Sequence, residues 1–400
     1  MQKPMKLGYL VPQFPGQTHI FFWREVAALE AMGVEVHLFS TRPPPKGLIA
    51  HDWSRTAIAR TTYLGVPGPV DATLGLLQVP RLTTADERAG IGRDVALSAP
   101  AAQRLKREAT RRGINHVHVH SCGRAALVAA LARRMGGPGY SLTLHGPLSD
   151  YGPGQRLKWQ GAGFGTVITE KLLGELRDAL GDSLPARLPV RPMGVDTEVL
   201  KRDAPYVPCA PGAPLRLFSC ARLNVVKGHQ DLMQAVRLLL DQGVEVQLDI
   251  AGEDDDGGSG FHGELQAQLE ALKLQDHVRL LGAIDADAVR AHLFKAHIFV
   301  LASWHEPLGV AYMEAMSCEV PTIGTDAGGV PELIRDQIDA ILVPPKAPEE
   351  LAGAIRQIAE DPALARRLSG AGRARIVSGF RASLGAETLV KEITRLTLDT

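Results

Sequence analysis

No stretch of the 400-residue sequence strings together the roughly 18 apolar residues that a bilayer-spanning helix requires. Cysteine is scarce: four residues, at 122, 209, 220 and 318, with no Cys-x-x-Cys spacing. That is too few for a disulfide framework, so reduced thiols in a cytosolic setting are expected. Net charge is absent too, with 44 Lys and Arg against 44 Asp and Glu, which excludes a uniformly basic binder of nucleic acid; no nucleic-acid partner is expected. The opening MQKPMKLGYLVPQFPG has only a short apolar stretch before Pro12 and Pro15, unlike a signal peptide, and points to a cytoplasmic location. Gly-x-Ser-x-Gly, His-Glu-x-x-His and the Walker lysine loop are all missing. GAGFG (161–165) neither follows a strand directly nor opens a helix, which sets aside a nicotinamide site there.

What is present is globular: 45% hydrophobic and 22% charged residues, in a length that suits two domains, or three. The neutral total hides polarity. Residues 1–200 carry 24 Lys and Arg against 16 Asp and Glu, while the second half carries 20 against 28. Such asymmetry suggests an anionic surface or substrate on one side.

Short β-rich runs alternate with helical patterns. KLGYLVP (6–12), VEVHLFS (34–40), NHVHVHS (115–121), YSLTLHG (140–146) and TVITE (166–170) read as strands. Between them, 19–33, 100–112 and 124–136 read as helices. The Pro-rich KRDAPYVPCAPGAP (201–214) reads as a linker, after which the alternation restarts with strands at 215–223, 244–253, 278–284, 298–303 and 320–325. Residues 348–376 and 383–398 read as helices. The pattern predicts two doubly wound α/β domains with ligands at the carboxyl ends of their strands.

SWHEPLGVAYMEAMSCEVPTIGTDAGGVPELI (303–334) is the most informative segment. A strand ends near Ser303 and a helix begins around Gly309–Val310, so the backbone N–H groups at 308–311, including those of Leu308, Gly309 and Val310, make a ready site for phosphate. Glu306 stands before that helix and Glu314 about one turn inside it, placed to accept hydroxyls on either side of a diphosphate. The plainer alternative is a solvated capping Glu and a surface helical Glu. Arg222 and Lys227 follow a strand end, where they could neutralise a pyrophosphate without metal; two solvated surface cations are the alternative. Gly16 closes the first strand and could bring backbone against the same group, and His145 ends a strand before a Gly-Pro turn. His116, His118 and His120 share one strand face, where packed or hydrogen-bonded histidines are favoured over a metal site. Asp254, Asp255 and Asp256 read as a solvated turn.

Together these segments resemble glycosyltransferase family 4, the retaining nucleotide-sugar transferases of GT-B fold, over almost the whole chain. HEPLGVAYMEAM with Glu306 and Glu314 carries the resemblance, supported by ARLNVVKGH, RPMGVD (191–196) and VRLLGAI. The opening YLVPQFPGQTHIFFWREVAALEAMGVEVHLFS looks like the branch that builds exopolysaccharides and membrane glycolipids. The resemblance implies a GT-B α/β architecture, two doubly wound Rossmann-like domains facing a central cleft: an acceptor-side domain over 1–200, the linker 201–214, a nucleotide-sugar domain over 215–380, and a final helix, 381–400, returning to the first domain. It implies that Arg222 and Lys227 hold the diphosphate as it leaves, that Glu306 with backbone around Leu308, Gly309 and Val310 orients the donor sugar, and that Glu314 binds ribose. His145 would line the reaction centre and Gly16 approach the phosphates. Met193 stands where the family usually has Asn, Glu319 replaces a usual Gly, and Asp150 lies farther from His145 than usual.

The implied reaction is metal-independent transfer of a hexose or hexuronic acid, with no cofactor beyond the nucleotide sugar, UDP being the commonest donor nucleotide of the family. The basic first half, with RLKREATRRG (104–113) and LARRMGG (131–137), is expected to lie against anionic lipid at the inner face of the cytoplasmic membrane, with Phe21, Phe22 and Trp23 either inserting nearby or forming a buried helix face. A lipid or lipid-linked acceptor is expected. A nucleotide-sugar epimerase and a non-catalytic sugar-binding protein are the alternatives.

Overall fold

Both strand series form parallel sheets in the computed structural model, which describes residues 4–16, 19–44, 52–254 and 260–398. The chain divides into two units, residues 1–193 with 382–400, and residues 194–381.

The first unit holds β1 (Lys6–Gln13), β2 (Glu35–Arg42), β3 (Thr62–Tyr63), β4 (His116–Val119), β5 (Gly139–Leu144) and β6 (Gly165–Val167), in the order 3-2-1-4-5-6. Leu7, Tyr9, Leu10 and Val11 of β1 are all buried, the continuous burial expected of a central parallel strand covered on both faces. The helix Ile20–Ala31 packs Phe22, Val26 and Leu29 into a core shared with Ala386, Leu389 and Ile393 of the last helix, Ala382–Leu398. Arg187 pairs with Glu392 at 3.1 Å and Arg191 donates to Thr388 at 3.2 Å, so the chain's final helix is part of this unit. The same packing settles the aromatic cluster. Phe22 is buried, and Phe21 and Trp23 pack against this core, with Trp23 stacked on Trp53. The three rings form a packed helix face and do not project as a wedge.

The second unit holds β7 (Leu215–Cys220), β8 (Val246–Ala251), β9 (Val278–Leu280), β10 (Ile298–Val300), β11 (Thr322–Thr325) and β12 (Ile341–Val343), in the order 12-11-10-7-8-9. In each sheet the first and fourth strands are neighbours, β1 with β4 and β7 with β10, because the chain reverses its winding there. Connections leaving these two strands diverge to opposite sides and open a crevice at their carboxyl ends.

Residues 201–214 are not a free linker. Arg202 donates to the carbonyls of Cys318, Phe294 and Leu293, and Tyr206 is buried with its hydroxyl on the His297 carbonyl at 2.8 Å. Proline content reads as a linker in sequence, but these anchors tie the segment to the second unit. The expected helix over 348–376 is two helices, Pro348–Glu360 and Pro362–Gly379, divided where Asp361 caps the second through the amides of Ala363 and Leu364.

Candidate functional site

In the second unit, the chain leaving β7 passes Arg222 and a short turn, Val225–Lys227, before the helix His229–Asp241. The chain leaving β10 passes Ser303 and Glu306 before the helix Val310–Ser317. These two connections are bolted together. The Trp304 amide donates to the Val226 carbonyl at 2.8 Å, and the Trp304 indole donates to the Asp231 carboxylate at 2.5 Å. Lys346 lies 4.2 Å from the centre of the Trp304 ring, a cation–π contact. Gly228, at φ +68°, lets the loops touch, since a Cβ there would sit 1.8 Å from the Ala302 carbonyl oxygen.

This seating brings Lys227 Nζ within 2.5 Å of Glu306 Oε2, with both side chains only 12% exposed. The Ser303 hydroxyl lies 3.4 Å from the same oxygen. Behind Glu306 runs the glycine turn of GTDAGG: the Gly329 amide donates to the Glu306 carbonyl at 2.9 Å. A Cβ on Gly328, at φ +66°, would stand 2.1 Å from that carbonyl oxygen. Leu308 and Gly309 are buried and Val310 half-buried at the helix opening, whose first amides have no acceptor within the helix and carry its positive end. Glu314 is half-buried one turn further on. Its charge adds to burial in pushing the Cys220 thiol, at the end of β7, up to about 12. Arg222 is exposed. The structure thus assembles a cation, two carboxylates and a helix opening at the β7/β10 switch point, the chemistry of an anion niche with hydroxyl acceptors at its edges.

Gly16 and His145 lie in the first unit. Gly16 is buried after β1, where a Cβ would meet the His19 ring at 2.6 Å. His145 follows β5, and its Nε2 is 3.2 Å from His120 Nδ1. His120 Nε2 in turn is 3.0 Å from Glu25 Oε2, which also accepts from the Tyr9 hydroxyl at 2.7 Å. Burial holds His120 and His145 down at about 3 and raises Glu25, the latter opposed by the charge of His118 and the Tyr9 hydrogen bond. His116 and His118 bond Ser141, and His118 also bonds Thr143. Among the described residues no group of three or more His, Cys, Asp or Glu is arranged to hold a metal ion. Asp254 accepts from the His262 amide at 2.9 Å, while Asp255 and Asp256 lie outside the described residues.

Residue-by-residue reading of the sequence missed Glu25 and the Trp304–Asp231 bond, whereas the glycine turn of GTDAGGVPE was legible as a second loop of close backbone approach. The alternating histidines of β4 were visible, but a helix glutamate meeting them is a long-range contact that no local spacing reveals.

The histidine cluster makes the first unit acid-sensitive. His116 is held at about 4, His120 and His145 at about 3, and His118 well below its usual value, all chiefly by burial. Folded, they stay neutral; unfolded, they ionise below about 6.5. Stability from this source is therefore complete above that pH and is lost as pH falls toward the folded values, at about 1.4 kcal/mol per buried histidine per pH unit. Glu25, raised in the fold, acts with the opposite sign but offsets only one of the four. Calorimetry at pH 7.5 and 5.5 should show the melting temperature dropping by several degrees; an unchanged value would contradict the burial of this cluster.

The chain as a whole is similar to known proteins. Residues 210–375 match the family described as glycosyl transferases group 1. Over 390 aligned residues the chain is 26% identical to the putative colanic acid biosynthesis glycosyltransferase WcaL of Salmonella typhimurium, covering 88% of this chain and 90% of that protein. It is 29% identical over 223 residues to the amylovoran biosynthesis glycosyltransferase AmsK of Erwinia amylovora, covering 52% and 51%. Among solved structures, HepE of Anabaena in complex with UDP superimposes with a TM-score of 0.75 at 17% identity, covering 98% of this chain and all of that one. The sucrose-phosphate synthase of Thermosynechococcus elongatus gives 0.75 at 20%, covering 99% and 100%. The fold is the two-domain α/β architecture of GT-B glycosyltransferases, and the match over the second unit together with the full-length relatives supports a glycosyltransferase.

Proposed function

We propose that this chain is a retaining glycosyltransferase of family 4 that moves a hexose or hexuronic acid from a UDP-sugar to a lipid or lipid-linked acceptor in exopolysaccharide or membrane-glycolipid synthesis. The observation that carries the proposal is the Lys227–Glu306 pair, seated at the β7/β10 switch point beside the helix opening at Gly309. In the structure the two side chains pair at 2.5 Å and neutralise each other. With donor bound, Lys227 and Arg222 turn to the diphosphate, the amides of Leu308, Gly309 and Val310 take its remaining oxygens, Glu306 accepts sugar hydroxyls and Glu314 accepts ribose hydroxyls.

In the proposed reaction the bond from the anomeric carbon to the β-phosphate oxygen breaks and the acceptor oxygen bonds to the same face of that carbon. The acceptor's proton passes to the departing phosphate oxygen. Negative charge grows on the diphosphate, so preorganised cations and amides stabilise that stage more than the ground state, and no divalent ion is required. The names of WcaL and AmsK, colanic acid and amylovoran biosynthesis, favour an exopolysaccharide role, and the HepE complex favours UDP as donor nucleotide. No helix among the described residues is long and apolar enough to cross a membrane, and we place the enzyme on the cytoplasmic face, attached peripherally.

Incubation with a panel of nucleotide sugars and a lipid extract, in EDTA, tests this reading. UDP release together with a glycosylated lipid in the mass spectrum is the expected result. Conversion of the nucleotide sugar without UDP release would identify an epimerase. Sugar binding without turnover would identify a binding protein.

A further inference from the structure

The helix Pro69–Leu82 in the first unit has its polarity inverted. Its inward face carries Asp71, 1% exposed and paired with Arg107 at 2.8 Å, and Gln78, which donates to Gln103 at 3.2 Å. Gly75 lets this face press onto the helix Gly92–Arg112, where a Cβ would meet the Ala99 carbonyl oxygen at 2.6 Å. The outward face is apolar: Val70 is 64% exposed and Leu77 70%, with Leu74 and Leu76 between them. A water-facing helix ordinarily shows the reverse pattern. Val66, just before it, and Leu97, on the neighbouring helix, are exposed as well, so the apolar area spans two elements.

Beside this face opens a cavity of about 480 Å³ lined by Arg42, Arg124, Pro67, Leu97, Pro100 and Val128. Arg124 is held there by its bond to the Leu97 carbonyl at 2.6 Å. On the helix Gly92–Arg112, Arg93, Leu97, Pro100 and Arg104 follow one another at one-turn spacing and share a face, and Arg104 donates to the Val66 carbonyl. Arg81 ends the apolar helix. Arginines are thus anchored at Val66 and Leu97, the two ends of the apolar area on its neighbouring elements, and Arg81 lies on the apolar helix itself.

We infer that this surface docks on an anionic lipid bilayer, with Val70, Leu74 and Leu77 entering the acyl boundary and the arginines meeting lipid phosphates. The charge pattern selects the occupant. A second copy of this chain meeting the same patch across a two-fold axis would bring like-charged rims together, whereas an anionic bilayer complements both the apolar face and its rim. The basic segment 104–113, expected from sequence to supply the contact, is largely committed elsewhere: Arg107 holds Asp71, and Arg111 holds Glu108 at 2.7 Å. The inference names the partner surface of the lipid-directed enzyme proposed above and rests on that reading. Vesicle binding and UDP binding are measured separately, so either can fail alone.

The test is co-sedimentation of the full chain with phosphatidylcholine vesicles, with and without phosphatidylglycerol, alongside calorimetric titration with UDP. The wild type should sediment with the anionic vesicles only. Leu74→Asp/Leu77→Asp should weaken that binding at least about tenfold. Arg81→Glu/Arg93→Glu should weaken it most at low salt. Both variants should melt and bind UDP as the wild type does, and Val207→Asp, at an exposed valine of the second unit, should sediment normally. Wild type remaining in the supernatant with anionic vesicles would overturn the inference. So would either double variant sedimenting undiminished, or a wild-type dimer in sedimentation velocity that Leu74→Asp/Leu77→Asp dissociates.

Discussion

Lys227→Ala is expected to lower sugar transfer by about two to three orders of magnitude while the protein stays folded. In the proposed site the ammonium is one of two cations assigned to the diphosphate, and it sits in a largely enclosed position where charge is weakly screened. Its removal also leaves the Glu306 carboxylate without its strongest partner, which costs stability on the order of 2 kcal/mol. The two effects separate in the double variant. Lys227→Ala/Glu306→Ala removes both members of the pair, so melting should recover toward wild type while transfer stays lost. Glu306→Ala alone should abolish transfer as well. A Lys227→Ala enzyme with near-normal kcat/KM, or a double variant that regains activity, would show the pair to be structural only.

Gly328→Ala should reduce kcat/KM by about two orders of magnitude without removing any polar group from the site. The added methyl would lie 2.1 Å from the Glu306 carbonyl oxygen and 2.8 Å from its carbon, both backbone atoms that cannot rotate aside. Relief requires the Glu306 peptide to shift by about 1 Å, and misplacement on that scale carries such a loss. The left-handed backbone adds about 1–2 kcal/mol of strain for alanine. Gly33→Ala is the matched control, with φ +82° and nothing within 4 Å of its Cβ. It should carry only the backbone strain and keep full activity. Equal kinetics for the two variants would mean that the position of Glu306 is immaterial.

The winding of both sheets was legible because a central parallel strand buried on two faces leaves an unbroken apolar run, as in KLGYLVP, while VEVQLDI shows the alternation of a strand with one face buried. The edge strands β3, of two residues, and β12, of three, escaped. The helix Pro69–Leu82 was also missed, since Leu74, Leu76 and Leu77 face outward and its one acid faces inward, against the pattern a water-facing helix shows. For the candidate site, Glu306, Leu308, Gly309, Val310 and Glu314 share one short segment, so motif and spacing single them out as candidates. Lys227 lies 79 positions from Glu306, and the two come together because the strand ends they follow meet at a switch point. The Lys227–Glu306 ion pair itself was not anticipated: the sequence reading gave cation and carboxylate separate ligands. Glu25 was invisible because a helix carboxylate 95 positions from His120 carries no local mark.

Calorimetric titration of the full chain with UDP in EDTA tests the central claim most directly. Lys227, Arg222 and the amides around Gly309 should bind the diphosphate unaided, so affinity should be the same with or without magnesium and at least about tenfold weaker in Lys227→Ala. Binding that appears only when a divalent ion is added, or that is unchanged in Lys227→Ala, would contradict it.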